Sequence, residues 1–264
     1  MSKQQKPVVL VTGAVGAIGY AISRQLAERG YCVHMAARNQ RVAEKMVEDL
    51  VAVTGNQSIQ LELVDLSVGS SIEELADRWR GPLHCLINNA ATTPRSRTRS
   101  PEGLELQFAT NILGYVRMML AFEEVLKQSS PARVVNVASY WAGDLDLDDL
   151  QFTKRAYDND RAYRQSKQAD RMLSVAFAER WRGQGISVNA CHPGDVPSKL
   201  ARNLGFGGHQ TPDSGAATPV WLATEPVGLN RTGMYFEDQK EKRCQFSRDK
   251  EACMALYEHC LTFV

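Results

Sequence analysis

The glycine-rich segment near the N-terminus is the strongest constraint on how this chain folds. A short apolar, β-branched run at residues 8–11 is followed by Gly13, Gly16 and Gly19, and a second apolar run lies at 32–37. Such runs are typical of buried parallel strands, and the glycines allow a tight turn and close packing of the next helix. The backbone N–H groups at the start of that helix would face an anion such as a pyrophosphate.

Strand-like and helix-like segments alternate along the rest of the chain. Further strands are predicted at 59–64, 84–88, 134–138, 186–191 and 234–236, and helices at 71–79, 102–127 and 163–181. This alternation predicts an α/β fold with a single doubly wound Rossmann-type parallel sheet of about seven strands and helices on both faces. The length of 264 residues, without a shift in composition, fits one domain at 1–264, and an amphipathic C-terminal helix is expected at 249–261.

The residue that ends the second strand indicates the cofactor. An acidic side chain about 20 residues beyond the glycines usually accepts the ribose 2′-hydroxyl, whereas an arginine there accommodates a 2′-phosphate. Arg38 and Asn39 stand at this position, and no acidic residue lies between Tyr31 and Arg41. A guanidinium binds phosphate through two parallel hydrogen bonds, so we predict NADP(H) over NAD(H). The alternative is that Arg38 is a solvated loop charge.

Tyr163 and Lys167 form a tyrosine–lysine pair four residues apart in a segment patterned as a helix. Residues at this spacing share one helix face, so the ammonium can lie beside the phenol. A fixed positive charge stabilises the phenolate and lowers the pKa of Tyr163 from about 10 toward neutrality. Such a tyrosine exchanges a proton with a carbonyl or an alcohol at ordinary pH. The same pair also occurs on many solvated helices, so its interpretation depends on the other motifs.

Together with further motifs, these features resemble the short-chain dehydrogenase/reductase family over nearly the whole chain. The further motifs are Asp65-Leu66, Asn88-Asn89-Ala90-Ala91, Asn111, Ser139 and Pro193-Gly194. The resemblance implies that Tyr163 transfers the proton and that Ser139 hydrogen-bonds the substrate oxygen. It implies that Lys167 lowers the tyrosine pKa and holds the nicotinamide ribose, and that Asn111 positions a water in a proton relay.

The resemblance also implies a set of cofactor contacts. These are Gly13, Gly16, Ala17, Ile18, Gly19, Arg38, Asn39, Asp65, Leu66, Asn89, Ala90, Tyr163, Lys167, Pro193, Gly194, Val196 and Ser198. Within this set Asp65 is expected beside the adenine, and Val196 and Ser198 near the nicotinamide amide. Single polar residues at such positions can instead serve as helix caps or backbone ties, so the argument depends on their joint occurrence.

Two departures from the common pattern refine the resemblance. Ala17 replaces the middle glycine, and the resulting spacing resembles the family's extended, nucleotide-sugar-modifying branch, although the chain is short for that branch. A long stretch with Asp-Asp-Leu separates Ser139 from Tyr163. That insertion resembles the retinol dehydrogenase-like group, which we take as the nearest relatives.

The segments after the strand ends are expected to form the substrate pocket. Tyr140 and Trp141 either shape an apolar wall or pack beneath the insertion. A glycine-rich segment at 198–215 is typical of a hinged lid, with Leu204 and Phe206 as candidate substrate contacts. Three arginines, Arg95, Arg97 and Arg99, either attract an anionic substrate or form a solvated basic turn.

These observations predict an NADP(H)-dependent oxidoreductase that transfers hydride between the nicotinamide and a carbonyl or alcohol substrate. Aldehydes, ketones and retinoid- or steroid-like molecules are the expected substrates, and Tyr163 is the expected acid or base. Two alternatives stay open: a nucleotide-sugar epimerase or dehydratase, and a non-catalytic NADP(H)-binding regulator.

Composition bounds the partners and the location. The formal net charge of +1 gives no reason to expect binding to nucleic acid or to an anionic membrane. The longest apolar stretch, 7–22, contains three glycines, so we expect no membrane anchor and a cytoplasmic protein. The six cysteines lack Cys-x-x-Cys spacing, so no metal site is predicted, and Cys244, Cys253 and Cys260 are expected at the surface. The resemblance implies a homodimer or homotetramer formed through two long helices.

Overall fold

The computed structural model describes residues 6–264 of the chain. The strands in these residues are β1 (Val8–Thr12), β2 (Cys32–Ala37), β3 (Ile59–Leu63), β4 (Cys85–Asn88), β5 (Ala132–Val137), β6 (Ile186–Cys191), β7 (Tyr235–Glu237) and β8 (Lys240–Lys242). They form one sheet in the order β3-β2-β1-β4-β5-β6-β7-β8, in which neighbours are parallel except β7 and β8. The predicted doubly wound α/β fold is confirmed. Residues 1–5 of the predicted domain 1–264 lie outside the described residues.

Helices cover both faces of this sheet. They are α1 (Ala17–Glu28), α2 (Gln40–Thr54), α3 (Gly69–Arg78), α4 (Gly114–Ala121), α5 (Glu123–Gln128), α6 (Asn159–Arg180), α7 (Lys199–Asn203), α8 (Pro212–Thr224), α9 (Val227–Asn230) and α10 (Lys250–Leu261). Side chains of β1 alternate between two hydrophobic clusters, since Val9 and Val11 pack with α1, α2 and α8 while Leu10 packs with α3, α4 and α6. This alternation explains why the strand is apolar throughout.

The sheet has one strand more than the sequence predicted. A two-residue turn, Asp238-Gln239, reverses the chain after β7, and both turn residues have positive φ angles of 48° and 57°. Such a turn matches the twist of a hairpin, so the exposed polar strand β8 pairs antiparallel with β7. A strand as short and polar as β8 carries no hydrophobic alternation from which it could be predicted.

The helix predicted at 102–127 is shorter and is interrupted. A π-helical segment, Phe108–Leu113, precedes α4, and α5 follows after a break at Phe122. The carboxylate of Glu105 accepts hydrogen bonds from the N–H groups of Gln107 at 2.9 Å and of Phe108 at 2.7 Å. A carboxylate in that place caps a helix, so the helical segment begins after Glu105 rather than at residue 102.

The C-terminal helix α10 covers the outer side of α6. Residues on nearly every side of the second half of α6 are buried, and the rings of Phe177 and Tyr257 meet edge to face with centroids 5.2 Å apart. Cys244, Cys253 and Cys260 are buried, so their predicted surface position is wrong. The apolar stripe of α10 explains this, because the two helix cysteines lie on it. Self-association stays a prediction.

The insertion between Ser139 and Tyr163 is organised around one buried carboxylate. Asp149 accepts hydrogen bonds from the backbone N–H groups of Thr153, Lys154 and Arg155, and also from the Thr153 hydroxyl and Arg155 Nε. Burial opposes ionisation, but these donors outweigh it and lower the pKa of Asp149 below its ordinary value.

We expect Asp149→Asn to destabilise the protein by about 3 kcal/mol near neutral pH, because the amide cannot accept all of these hydrogen bonds. A carboxyl whose folded-state pKa is lowered stabilises the fold above its unfolded pKa of about 4, and this contribution is lost as the pH falls through the folded-state pKa. Urea unfolding at several pH values measures the effect. The difference between the variant and the unaltered protein should begin to shrink below about pH 4 and go on shrinking as the pH falls further, and a constant difference down to strongly acidic pH would contradict this origin.

Candidate active site

Two adjacent clefts open at the carboxyl ends of the central strands. The glycine crevice is lined by the turn after β1 together with Arg38 and Asp65, and the Tyr163 cleft is lined by Ser139, Tyr163 and Lys167. The residues that line both are Ile18, Asn89, Ala91, Ser198 and Leu200. Because the clefts share these walls, one extended ligand can occupy the glycine crevice and place its end in the Tyr163 cleft.

Most of the predicted site residues line one of the two clefts. Those in the glycine crevice are Gly13, Gly16, Ala17, Ile18, Gly19, Arg38, Asp65, Leu66, Asn89, Ala90 and Ser198. Those in the Tyr163 cleft are Ser139, Tyr140, Trp141, Tyr163, Lys167, Pro193, Gly194, Val196, Ser198, Leu204 and Phe206, with Asn89 and Ile18 shared. Asn39 and Asn111 line neither cleft.

Close backbone packing explains two of the three glycines. Gly13 has a φ angle of 63°, and a Cβ there would lie 2.7 Å from the Cα of Ala90. A Cβ on Gly19 would overlap the carbonyl oxygen of Gly13 and lie 2.8 Å from Asn89 Nδ2. Asn89 Nδ2 donates to the carbonyl of Thr12 at 2.8 Å, which ties β4 to the turn. The turn is therefore held to the neighbouring strand as well as shaped for a ligand.

The start of α1 fits an anion. Gly16 is the N-cap residue, its side-chain position offers no acceptor, and the first turn of α1 contains no acidic residue. The first N–H groups of a helix have no partner within it and carry a partial positive charge, so they favour a phosphate group. This end of α1 opens on the glycine crevice through Ala17, Ile18 and Gly19. The residues present therefore fit a dinucleotide pyrophosphate.

We expect Gly19→Ala to lower the free energy of unfolding by about 1–3 kcal/mol, because the added methyl group overlaps fixed backbone and amide atoms. Gly16→Ala is the matched control. Its Cβ would meet Gly13 O at 3.3 Å and its φ angle is −76°, so its cost should stay below about 1 kcal/mol. Urea unfolding without cofactor measures both variants. Equal destabilisation by the two substitutions would contradict the packing argument.

Arg38 lies at the rim of the glycine crevice with a largely free guanidinium. Its side chain is 72% exposed, and its Nη1 lies 3.6 Å from Asp65 Oδ2. Asp65 Oδ1 accepts hydrogen bonds from the N–H and hydroxyl groups of Ser67. Asn39 caps α2 by accepting a hydrogen bond from Val42 N at 3.1 Å. Its side chain therefore stabilises the helix next to Arg38 instead of lining the crevice.

Tyr163, Ser139 and Lys167 meet in the Tyr163 cleft, with Ser139 two residues after the end of β5 and the other two on α6. Burial raises the pKa of the Tyr163 phenol, and the opposing effects of Lys167 and of a hydrogen bond with Ser139 do not offset it. The predicted lowering of this pKa toward neutrality is therefore wrong in this structure. Lys167 acts in the predicted direction, but its ammonium lies 2.8 Å from the buried carboxylate of Asp170.

Asn111 lies behind the cleft in the π-helical segment. Its Oδ1 accepts a hydrogen bond from Thr92 N at 2.8 Å, and its Nδ2 donates to Thr92 O at 3.0 Å. A weaker contact joins Nδ2 to the hydroxyl of Ser166 at 3.3 Å. Asn111 thus holds the loop after β4 against α6, and its predicted part in a proton relay stays a prediction.

Ser139 is supported from the sheet edge by a polar group that the sequence did not reveal. The guanidinium of Arg171 donates to the carbonyl oxygen of Ser139 and, at 2.6 Å, to the hydroxyl of Tyr235. The Tyr235 hydroxyl in turn donates to Glu237 Oε1 at 2.6 Å. Ser139 Oγ accepts a hydrogen bond from Trp141 N at 3.1 Å, which fixes its orientation.

Aromatic side chains close the outer end of the Tyr163 cleft. The rings of Trp141 and Phe206 lie with centroids 4.1 Å apart, so the segment after Ser139 touches the predicted lid. Tyr140 packs edge to face on His192 with centroids 4.6 Å apart. The segment 198–215 contains α7 and the first turn of α8.

Hydrogen bonds and a helix cap fix the predicted lid in place. Asn203 Nδ2 donates to Thr93 O, and Asn159 Nδ2 donates to Asn203 O, each at 3.0 Å. Ser198 caps α7 by accepting from Ala201 N at 3.0 Å. Of the three arginines considered as contacts for an anionic substrate, Arg97 donates a hydrogen bond from Nε to Gln151 O at 3.0 Å and so stabilises the insertion.

Comparison with known proteins assigns the family. A family model described as short chain dehydrogenase matches residues 7–206. The chain belongs to the short chain dehydrogenase family. A probable oxidoreductase from Streptomyces antibioticus is 37% identical over 255 residues, which cover 89% of this chain and 85% of that protein.

Two further relatives support the assignment. Retinol dehydrogenase 13 from Mus musculus is 32% identical over 254 residues, which cover 89% of this short chain dehydrogenase and 76% of the mouse protein. The solved Pseudomonas aeruginosa RhlG/NADP active-site complex has 25% identity and a TM-score of 0.71 over 88% of this chain and 94% of that chain. The predicted resemblance to the family and its retinol dehydrogenase-like group is confirmed, and the protein is an NAD(P)-dependent oxidoreductase.

Sequence reasoning missed several residues that shape the site of this short chain dehydrogenase. Thr12 Oγ1 accepts hydrogen bonds from Asn89 N and Ala90 N, and Gln210 Oε1 accepts from Asp195 N at 2.7 Å. Asp170 was recognisable in principle, because it follows Lys167 at helical i, i+3 spacing.

Two features of residues 6–264 bear on membranes and metals. No helix in this range has both the length and the apolar composition needed to cross a bilayer. The same residues contain no group of three or more histidine, cysteine, aspartate or glutamate side chains arranged to hold a metal ion.

Proposed function

We propose that this protein is an NADP(H)-dependent carbonyl reductase that transfers hydride between the nicotinamide and an aldehyde or ketone. The proposal depends on one observation: Ser139 and Tyr163 line a cleft that shares its walls with the glycine crevice. A nicotinamide ring extending from a pyrophosphate at α1 would enter this cleft beside the two hydroxyls. Ligands of doubly wound sheets bind at this edge.

The chain's own groups supply the proton and hold the reacting oxygen. The nicotinamide, when bound, supplies or accepts the hydride. In reduction the Tyr163 hydroxyl donates its proton to the substrate oxygen, and the Ser139 hydroxyl donates a hydrogen bond to the same oxygen. Burial raises the pKa of Tyr163, so its hydroxyl is protonated at neutral pH. A protonated phenol favours carbonyl reduction over alcohol oxidation.

The proposed choice of NADP(H) depends on Arg38. Its exposed guanidinium at the crevice rim can form a bidentate contact with a 2′-phosphate. Asp65 is the acidic side chain in ion-pair contact with Arg38, and its carboxylate also accepts a hydrogen bond from the Ser67 hydroxyl. A free 2′-hydroxyl would leave the arginine without its phosphate partner.

The proposed substrates are small or apolar carbonyl compounds. The cleft has a volume of about 320 Å³, within the usual size of small-molecule sites. Its lining includes the apolar side chains of Trp141, Leu200, Leu204 and Phe206. Such walls favour apolar side groups, including retinoid- or steroid-like ones, through burial of apolar area. Arg97 donates a hydrogen bond to the backbone of the insertion, which argues against a dedicated anion site at that residue.

A panel of retinal, steroid ketones, quinones and short aldehydes tests the proposal through oxidation of NADPH. We expect turnover with at least one apolar carbonyl and slower turnover with NADH. Turnover of sugar nucleotides without any simple carbonyl would favour the epimerase or dehydratase alternative. NADPH binding without oxidation across the panel would favour the regulator alternative. A cytoplasmic location and a homodimer or homotetramer remain part of this proposal.

A further inference from the structure

A fully buried carboxylate lies one helical turn beyond the lysine of the Tyr163 cleft. Asp170 and Lys167 are 1% and 2% exposed, and Asp170 Oδ2 lies 2.8 Å from Lys167 Nζ. Removing two charges from water costs free energy that their attraction rarely exceeds by much, so a buried ion pair is weak evidence for a stabilising role. The position of this pair beside the cleft suggests a role in the chemistry instead.

Further contacts fix the ammonium at the wall of the Tyr163 cleft. Lys167 Nζ also donates to the carbonyl oxygen of Val137 on β5 at 2.9 Å. It lies 5.2 Å from the ring centroid of Tyr115 and 5.9 Å from that of Tyr163. Two of its three N–H donors are therefore used by Val137 and Asp170. The lysine is held between α6 and the sheet, and its charge reaches Tyr163 from that side.

The carboxylate makes no other hydrogen bond. Asp170 Oδ1 has no partner among residues 6–264, so the side chain is tied to Lys167 alone. A carboxylate that served to organise the fold would tie several groups, as Asp149 does. Asp170 must therefore act mainly through Lys167.

We propose that Asp170 is a positioning residue that holds Lys167 and sets how strongly the lysine's charge acts on the Tyr163 hydroxyl. The inference rests on the proposed role of Tyr163 and adds a counter-ion to it. When Asp170 is ionised it largely neutralises the lysine, so less of the lysine's charge acts on the phenol. Without it, the uncompensated ammonium would stabilise the phenolate more strongly and lower the pKa of Tyr163.

Several titratable groups face this pair and belong to its electrostatics. They are Tyr115 from α4, Tyr163 from α6, Cys191 from β6, Cys260 from α10 and, beyond Tyr163, Asp195 from the loop after β6. Burial raises the pKa of each buried phenol and thiol in this group, so they stay neutral near pH 7. Burial also raises the pKa of Asp170 to about 7, against the opposing effect of Lys167, so above that pH Asp170 is the negative charge closest to Lys167 within the described part of the chain.

Asp170→Asn tests the proposal, because the amide keeps the size of the side chain and an oxygen for Lys167. Asp170 lies seven residues, or about 10 Å along the helix, from Tyr163. At that separation and an effective dielectric constant of about 20, loss of the charge lowers the pKa of Tyr163 by about one unit. The pKa is measured from phenolate absorbance, as the difference between each protein and its Tyr163→Phe counterpart.

Glu179→Gln is the control, since it removes one negative charge from the same helix about 18 Å beyond Lys167. We expect no shift of the Tyr163 pKa in Glu179→Gln. A shift equal to that of Asp170→Asn would overturn the inference. Asp170→Glu keeps the charge and should retain the original pKa. If Asp170→Asn does not fold, Asp170→Ser is a second neutral replacement with the same expected shift. An unchanged or higher Tyr163 pKa in the folded neutral variant would overturn the inference.

Activity measurements distinguish a failure of this inference from a failure of the proposed function. With a carbonyl substrate, the high-pH limb of kcat for Asp170→Asn should move down by about one pH unit. The absorbance titration needs neither cofactor nor substrate. A shifted pKa without any carbonyl turnover would therefore reject the proposed function alone, whereas normal turnover with no shift would reject the role of Asp170 alone.

Discussion

Replacing Tyr163 by phenylalanine should lower kcat for carbonyl reduction by about 10³-fold, because a positioned acid typically contributes 10²- to 10⁴-fold. The ring stays in place, so its packing beside Lys167 is retained. The pyrophosphate and 2′-phosphate contacts proposed for the glycine crevice do not involve the phenol. NADPH affinity, measured by fluorescence titration, should therefore change by less than about threefold, a difference well below 1.4 kcal/mol.

Tyr257→Phe is the matched control for the loss of a buried phenolic hydroxyl. Tyr257 lies on α10 and packs against Phe177, away from both clefts. Its kcat should stay within about twofold of the unaltered protein, well under the 10²- to 10⁴-fold expected of an acid. If Tyr163→Phe keeps its turnover while Ser139→Ala loses it, the proton comes from another group and the proposed role is wrong.

Local patterns in the sequence predicted the elements that build the site. The glycines after β1 and the i, i+4 spacing of Tyr163 and Lys167 are local signals, and the structure places both at the same edge of the sheet. Strand alternation predicted the parallel sheet because buried strands are continuously apolar. These features depend on neighbours within about one turn of helix or one strand, so one chain is enough to recognise them.

Tertiary burial determined what the sequence did not predict. The pKa of Tyr163 follows from the desolvation of its hydroxyl, and that depends on elements far apart in the chain. The start of the helical segment that leads into the π-helical residues depends on Glu105, whose carboxylate accepts hydrogen bonds from Gln107 N and Phe108 N. The resemblance assigned Asn111 to a proton relay and Asn39 to the cofactor contacts, and the structure shows their side chains holding the loop after β4 and the start of α2. Residue type alone does not distinguish a ligand contact from a backbone tie.

Replacing Arg38 by aspartate should weaken NADPH binding by about 10²-fold while weakening NADH binding much less. Charge-assisted hydrogen bonds contribute about 1.5–3 kcal/mol each, and the high exposure of this guanidinium places the expected loss at the lower part of the range for two such bonds. The new carboxylate would also lie beside Asp65 and repel a 2′-phosphate. With NADH, an aspartate at this position can accept a hydrogen bond from the ribose 2′-hydroxyl.

Two further variants separate direct contact from long-range charge. Lys45→Asp on α2 makes the same change of two charge units without lining the glycine crevice, so its effect on NADPH binding should be several times smaller. Arg38→Gln removes the guanidinium without adding a negative charge beside Asp65, and it should still lower the ratio of NADPH to NADH affinity by at least about tenfold. If all three variants weaken both cofactors equally, Arg38 does not recognise the 2′-phosphate and the proposed preference for NADP(H) is wrong.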